Sequence, residues 1–215
     1  MRKDVLAQAN RALDALASVD AGDDVELAAS IAALRGRKDE IVELIDRLAA
    51  VAVAAAKTRH HGDYHLGQVL VDQADFVIVD FEGEPLRSME ERRAKRTPLR
   101  DVAGMVRSLD YAAWAACRQS TEVRPEEADT VRTQALAWRD LATSRFLESY
   151  AATIGDCVSY PQDPEQQRVL LDLVILEKAF YEIAYEAANR PGWIGIPLAG
   201  VTAILDRQAE EETAA

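Results

Sequence analysis

From Val5 to Lys57 the apolar residues recur at helical intervals, as in Leu6, Leu13 and Leu16 and again in Ile41, Leu44, Ile45 and Leu48. That spacing lines one face of a helix, and the abundant alanine favours the same state. Two or three helices are expected before residue 60, with breaks at Ala21-Gly22-Asp23-Asp24 and near Arg35-Gly36-Arg37, where the turn formers cluster. After His61 the period changes. Val69-Leu70-Val71 and Phe76-Val77-Ile78-Val79 are β-branched runs separated by Asp72-Gln73-Ala74-Asp75, the pattern of a short hairpin. From Pro98 the helical period returns, predicting helices near 98–118, 125–153, 164–189 and 197–211, separated by Val123-Arg124-Pro125, Pro161 to Pro164 and Arg190-Pro191-Gly192. The charged stretch Arg87 to Arg96 reads as a solvated loop or short helix, and Glu210 to Ala215 as a frayed end. The fold class expected is mostly α (α+β), helical with one central β-hairpin. It is read as a single domain over 1–215, comprising leading helices (1–59), a loop, hairpin and turn (60–84) and a helical subdomain (98–211).

With 215 residues, 49% of them hydrophobic, the chain can bury a sizeable core. A net charge of −12 argues against nucleic acid as a partner, because that affinity rests on clustered Lys and Arg. The two cysteines, Cys117 and Cys157, stand in no metal-ligand spacing and read as buried small hydrophobes in a reducing, cytoplasmic compartment. The most apolar stretch, Leu48 to Ala56, is far shorter than the roughly 20 residues that span a bilayer, so no membrane segment is expected.

The chemistry concentrates in His61-Gly62-Asp63-Tyr64-His65-Leu66-Gly67-Gln68, the hairpin, and Asp80-Phe81-Glu82-Gly83. Phosphoryl transfer from ATP needs a group that accepts the hydroxyl proton and oxygen ligands that hold Mg²⁺ against the phosphates. In the general kinase pattern these are a catalytic-loop Asp, a metal-binding Asn a few residues later, where this chain has Gln68, and an Asp opening the next turn. Asp63, Gln68 and Asp80 fall into those three slots. Singly, each also reads as a turn or strand-end residue; together, with a hairpin between them, they point to a metal-phosphate centre. Asp101 stands where a helix begins and reads as an N-cap. His60, His61 and His65 lack the Cys or Glu that would complete a tetrahedral zinc set.

The stretch from His61 to Asp110 is very similar to the C-terminal lobe of maltokinases, free-standing or fused behind trehalose synthases, within the kinase-like fold shared with aminoglycoside phosphotransferases. The resemblance resumes over Leu176 to Glu186 and Asn189 to Leu198. It implies ATP-dependent phosphorylation of maltose to maltose 1-phosphate on the route from trehalose to α-glucan. It further implies Asp63 as catalytic base, Gln68 and Asp80 as Mg²⁺ ligands, and His61, His65 and Asp101 as supports of the catalytic loop.

Lys178, Tyr181, Glu182 and Tyr185 share one side of a helix. Polar and aromatic groups in a row suit a sugar, and equally a half-buried helix whose tyrosine hydroxyls meet neighbours. Trp193 reads as a packing anchor. A complete kinase of this type also has an N-terminal β lobe whose Lys and covering loop hold the ATP phosphates. Only 60 residues precede His61 and they read as helices, so that lobe is expected to be absent and the isolated chain inactive. The alternative is a non-catalytic module that binds a sugar or docks on a partner such as trehalose synthase.

Overall fold

The computed structural model describes residues 1–84 and 87–214. Among them the helices are α1 (Arg2–Leu16), α2 (Val25–Gly36), α3 (Lys38–Ala50), α4 (Met89–Arg93), α5 (Leu99–Val123), α6 (Ala128–Ile154), α7 (Pro164–Asn189) and α8 (Gly195–Ala214). Strands β1 (Val69–Asp72) and β2 (Asp75–Ile78) form one antiparallel pair with Val69 opposite Ile78. Among the described residues the fold is thus mostly helical with a single small sheet. The residues group into two compact units, one of 1–53 with 164–215 and one of 54–163.

In the first unit the stripe Val5, Ala9, Ala12, Leu16 of α1 is buried, as is the stripe Val169, Leu173, Leu176, Phe180, Ile183 of α7. Both step by three and four residues, so each is a single helix face. The two helices pack along one another, and the small Ala9 and Ala12 leave room for the bulky residues of α7. Ile41, Leu44, Ile45 and Leu48 of α3 and Leu198, Val201 and Leu205 of α8 complete the core. The break before α2 has the expected turn chemistry: Gly22 takes φ +55°, and the Asp24 carboxylate caps the helix by accepting the Leu27 N–H at 2.9 Å.

In the second unit α5 packs against α6. Cys117 is buried, whereas Cys157 is half-exposed with its thiol 3.2 Å from the Ser159 hydroxyl, so the latter is not the buried hydrophobe expected. Arg107 lies inside this unit, 2% exposed, with Nη1 donating to Asp110 at 2.5 Å. Asp110 also receives Arg139 of α6 at 3.2 Å, which ties the two helices together. The hairpin carries large apolar side chains outward, with Val71 72% and Phe76 67% exposed.

Element boundaries depart from expectation at three places. Helix α5 runs on to Val123, and α8 starts at Gly195 with Pro197 in its first turn, where a missing N–H costs nothing. The frayed end expected over 210–215 is instead helix as far as Ala214, and Ala215 lies outside the described residues. The charged stretch contains the short helix α4, held by a capping box in which Ser88 and Glu91 satisfy each other's backbone N–H. Among the described residues no helix is long and apolar enough to cross a membrane.

Candidate active site

The loop after the first three helices is organised around the buried His61. Its Nε2 lies 2.8 Å from the carbonyl oxygen of Val79 and its Nδ1 is 3.3 Å from the N–H of Asp63. A carbonyl only accepts and an amide N–H only donates, so the neutral Nε2–H tautomer serves both bonds. The imidazole therefore joins the main chain of Asp63 to the residue preceding Asp80. Its ring also packs between Phe81, at 4.7 Å between centroids, and Tyr64, at 5.6 Å.

Asp101, in the first turn of α5, holds the same loop from the other side. Its Oδ2 accepts the N–H of His61 at 2.7 Å and its Oδ1 the N–H of Gly62 at 2.9 Å. Pro98, not Asp101, stands at the N-cap of α5, and no side chain caps that end; both Asp101 oxygens are instead taken by the loop of Asp63. Gly62 has φ +89°, and a Cβ there would come within 3.2 Å of the Gly83 Cα. Gly83 itself has φ +78°. Glycine at both positions lets the loop of Asp63 touch the turn that follows Asp80. Burial and the nearby Asp101 carboxylate raise the Tyr64 phenol above its usual range.

At the hairpin, Val79 N–H donates to the Gln68 carbonyl at 3.0 Å, continuing the strand pairing by one more bond. Asp80 then turns out of the strand with φ +64°, a conformation aspartate tolerates better than most residues. Gln68 Nε2 donates to Asp80 Oδ2 at 3.0 Å. Two of the three expected metal-phosphate groups thus meet side chain to side chain, and the main chain of the third, Asp63, reaches them through His61. These are oxygen donors, which suit a hard cation such as Mg²⁺. Among the described residues no three His, Cys, Asp or Glu side chains converge as an all-protein metal cage. His65 acts locally: its Nδ1 accepts the Gly67 N–H at 3.1 Å and caps the 3₁₀ turn Leu66–Gln68.

His60 is held below the usual histidine range, chiefly by burial; Asp101 opposes this, and Arg100, Arg96 and Arg87 add to it by repelling an imidazolium. These three arginines give the start of the loop a basic setting that the chain's net charge of −12 conceals. A cavity of about 410 Å³ in the same unit is lined by Trp114, Cys117, Arg118 and Arg132 among others, and by none of the site residues expected from the sequence.

In the other unit, the expected sugar-facing residues lie along α7. Lys178 Nζ is 5.2 Å from the Tyr181 ring centroid, and Tyr181 stacks on Tyr185 at 6.4 Å and 20°. Glu182 is buried. The row continues where the sequence reading assigned no role: Arg190 sits over Tyr185 at 5.5 Å and over Trp193 at 5.4 Å. It donates to both oxygens of the buried Glu186, at 2.9 and 2.6 Å. The Glu and Arg four residues apart were the signal for that pair.

No family model matches the chain. It is 34% identical over 180 residues, 80% of its length, to a glucosamine kinase of Mycolicibacterium smegmatis, of which it covers 40%. It is 28% identical over 151 residues, 70% of its length, to a glucosamine kinase of Streptacidiphilus jiangxiensis, of which it covers 32%. Among solved structures, one glucosamine kinase aligns with TM-score 0.75 and 24% identity over 97% of this chain and 47% of the other. A glucosamine kinase in complex with glucosamine, ADP and inorganic phosphate aligns with TM-score 0.72 and 26% identity over 94% of this chain and 44% of the other. The chain is therefore homologous to part of these sugar kinases and spans less than half the length of each. The expected maltokinase kinship is supported only at the coarser level of a kinase-like sugar phosphotransferase. Neither maltose nor trehalose synthase figures in the names of these relatives.

Proposed function

We propose that this chain is the phosphoryl-transfer lobe of an ATP-dependent sugar kinase whose acceptor is an amino sugar of the glucosamine type. The observation that carries this reading is the Gln68–Asp80 hydrogen bond at the two ends of the hairpin, beside a loop that Asp101 holds through two main-chain bonds. Phosphoryl transfer depends on positioning more than on covalent help from the protein, and this arrangement positions.

In the reaction proposed, a sugar hydroxyl oxygen forms a bond to the γ-phosphorus of ATP. The bond from that phosphorus to the ADP oxygen breaks, and ADP leaves with its electron pair. The hydroxyl proton passes to the Asp63 carboxylate. Asp80 and the Gln68 carboxamide oxygen would hold Mg²⁺, which when bound neutralises phosphate charge. His61, His65 and Asp101 keep the loop in register, and Lys178, Tyr181, Glu182 and Tyr185 supply polar and aromatic groups suited to sugar hydroxyls and ring faces. ATP as donor draws on the solved relative that holds ADP and phosphate. Groups that enclose the nucleotide phosphates are proposed to come from polypeptide outside these 215 residues, since the chain covers 40% of its Mycolicibacterium relative.

Maltose is the finer reading that the sequence resemblance implies, with transfer to the anomeric hydroxyl. The names of the relatives favour the amino sugar. ADP release with Mg·ATP decides between them, measured with glucosamine, with maltose and with no sugar, on the 215-residue chain alone and joined to the N-terminal portion of a relative. The expected result is glucosamine-dependent release by the joined protein and little by the chain alone. Sugar binding by calorimetry with no release in either form would favour a non-catalytic module.

A further inference from the structure

Asp101, Gly104 and Ser108 are spaced three and four residues apart on α5 and so form one stripe along the helix. Each meets a successive part of the loop around Asp63. Asp101 accepts the N–H groups of His61 and Gly62 at 2.7 and 2.9 Å. Gly104 is buried, and a Cβ built on it would stand 2.4 Å from the Tyr64 carbonyl oxygen, closer than real atoms approach. The Ser108 hydroxyl accepts the Leu66 N–H at 3.0 Å.

The contacts march in step. For each turn of α5, an advance of about 5.4 Å, the contact moves on by roughly two residues of loop, from Gly62 to Tyr64 to Leu66. We propose that Gly104 and Ser108 are positioning residues for phosphoryl transfer, completing with Asp101 a rail on α5 that seats the main chain on both sides of Asp63. Gly62 and Tyr64, its two neighbours, each rest on this rail. Gly104 is needed there because the Tyr64 carbonyl occupies the space of any side chain. In a helix interior glycine otherwise costs about 1 kcal/mol relative to alanine.

The catalytic part of this inference rests on the function proposed above, whereas the rail itself can be tested without turnover. Amide hydrogen exchange of the 215-residue chain reads it directly. Ser108→Ala should lower protection of the Leu66 amide about three- to tenfold, Ser108→Thr should restore it, and protection in α1 and α7 should not change. Gly104→Ala should lower protection over His61 to Leu66 while α5 stays protected, the opposite of the gain alanine normally brings to a helix. Unchanged protection at Leu66 in Ser108→Ala, or a loss in that variant spread evenly over both units, would overturn the rail. In the joined protein, Ser108→Ala and Gly104→Ala should lower kcat by about ten- to a hundredfold with KM for the sugar unchanged. A fall confined to KM would overturn the positioning role. Absence of turnover in the unsubstituted protein would instead refute the functional reading, leaving the exchange result to decide the rail.

Discussion

Gln68 donates through Nε2 to the Oδ2 oxygen of Asp80 across 3.0 Å, closing the open end of the hairpin with a side-chain bond. The strand pairing ends one bond earlier, where the Val79 N–H meets the Gln68 carbonyl. Asp80 therefore stands one residue beyond the last main-chain rung, and the longer reach of Gln over Asn bridges that step. The carboxamide has its nitrogen on Asp80 and its oxygen on the other arm, so one side chain can orient a carboxylate and offer a ligand of its own.

Asp80→Asn and Gln68→Ala should each raise the Mg²⁺ concentration needed for half-maximal phosphoryl transfer in the joined protein. Asparagine also tolerates a φ of +64°, so Asp80→Asn should leave the far-ultraviolet circular dichroism unchanged. Identical Mg²⁺ titrations for the wild type and both variants would remove these residues from the metal site.

Asp63→Asn should act on a different parameter. Loss of a general base typically lowers turnover by about 10²–10⁴-fold. Its loop is held by main-chain bonds to Asp101 and His61, so the fold should survive. The fall should appear in kcat with the Mg²⁺ requirement unaltered. Full activity in this variant would exclude Asp63 as the proton acceptor.

His60 makes stability depend on pH. Burial, reinforced by Arg100, Arg96 and Arg87 and opposed by Asp101, holds it below the usual 6.5 in the folded chain. The unfolded chain therefore binds this proton first as pH falls, and the contribution to stability is complete above about pH 6.5 and lost progressively below it. Urea midpoints measured from about pH 8 to about pH 5 should decline on the acid side. The decline should be shallower in His60→Gln; parallel curves for the two proteins would show that this histidine is not the group responsible.

The local elements were legible because each rests on short-range physics. Gly22 and Gly36 interrupt the opening helices, β-branched residues mark both strands, and the proline clusters separate the late helices. The meeting of Gln68 with Asp80 was legible for the same reason, since a hairpin returns the chain to its starting point. Contacts that depend on distant partners were not legible. Nothing near Gly104 announces the Tyr64 carbonyl, and nothing near Gly62 announces Gly83. The identity of the proposed sugar was harder still: Lys178, Tyr181, Glu182 and Tyr185 offer donors, acceptors and ring faces that any polyhydroxyl compound can use, so the chemistry of the row favours neither maltose nor the amino sugar proposed.

Phe180 tests the core of the first unit. It is 0% exposed and lies in the α7 stripe that faces the small residues of α1. Phe180→Ala should cost about 3–5 kcal/mol, combining lost burial with a cavity that rigid helices cannot close. The urea midpoint should fall accordingly, and a change below about 1 kcal/mol would show that the unit repacks around the gap.

The packing of α1 on α7 also sets an order of events during synthesis. Leu16 ends α1 and Pro164 begins α7, so roughly 150 residues must be made before the first helix meets its main partner. At about 5–20 residues per second that delay is on the order of ten seconds. Throughout it, the apolar face of Val5, Ala9, Ala12 and Leu16 has nothing from α7 to cover it. The unit of residues 54–163 is continuous in sequence and can complete itself first. A nascent chain that stalls before Asn189 would thus carry a folded unit of residues 54–163 together with an α1 whose apolar face is uncovered, the state in which chaperones would be most needed.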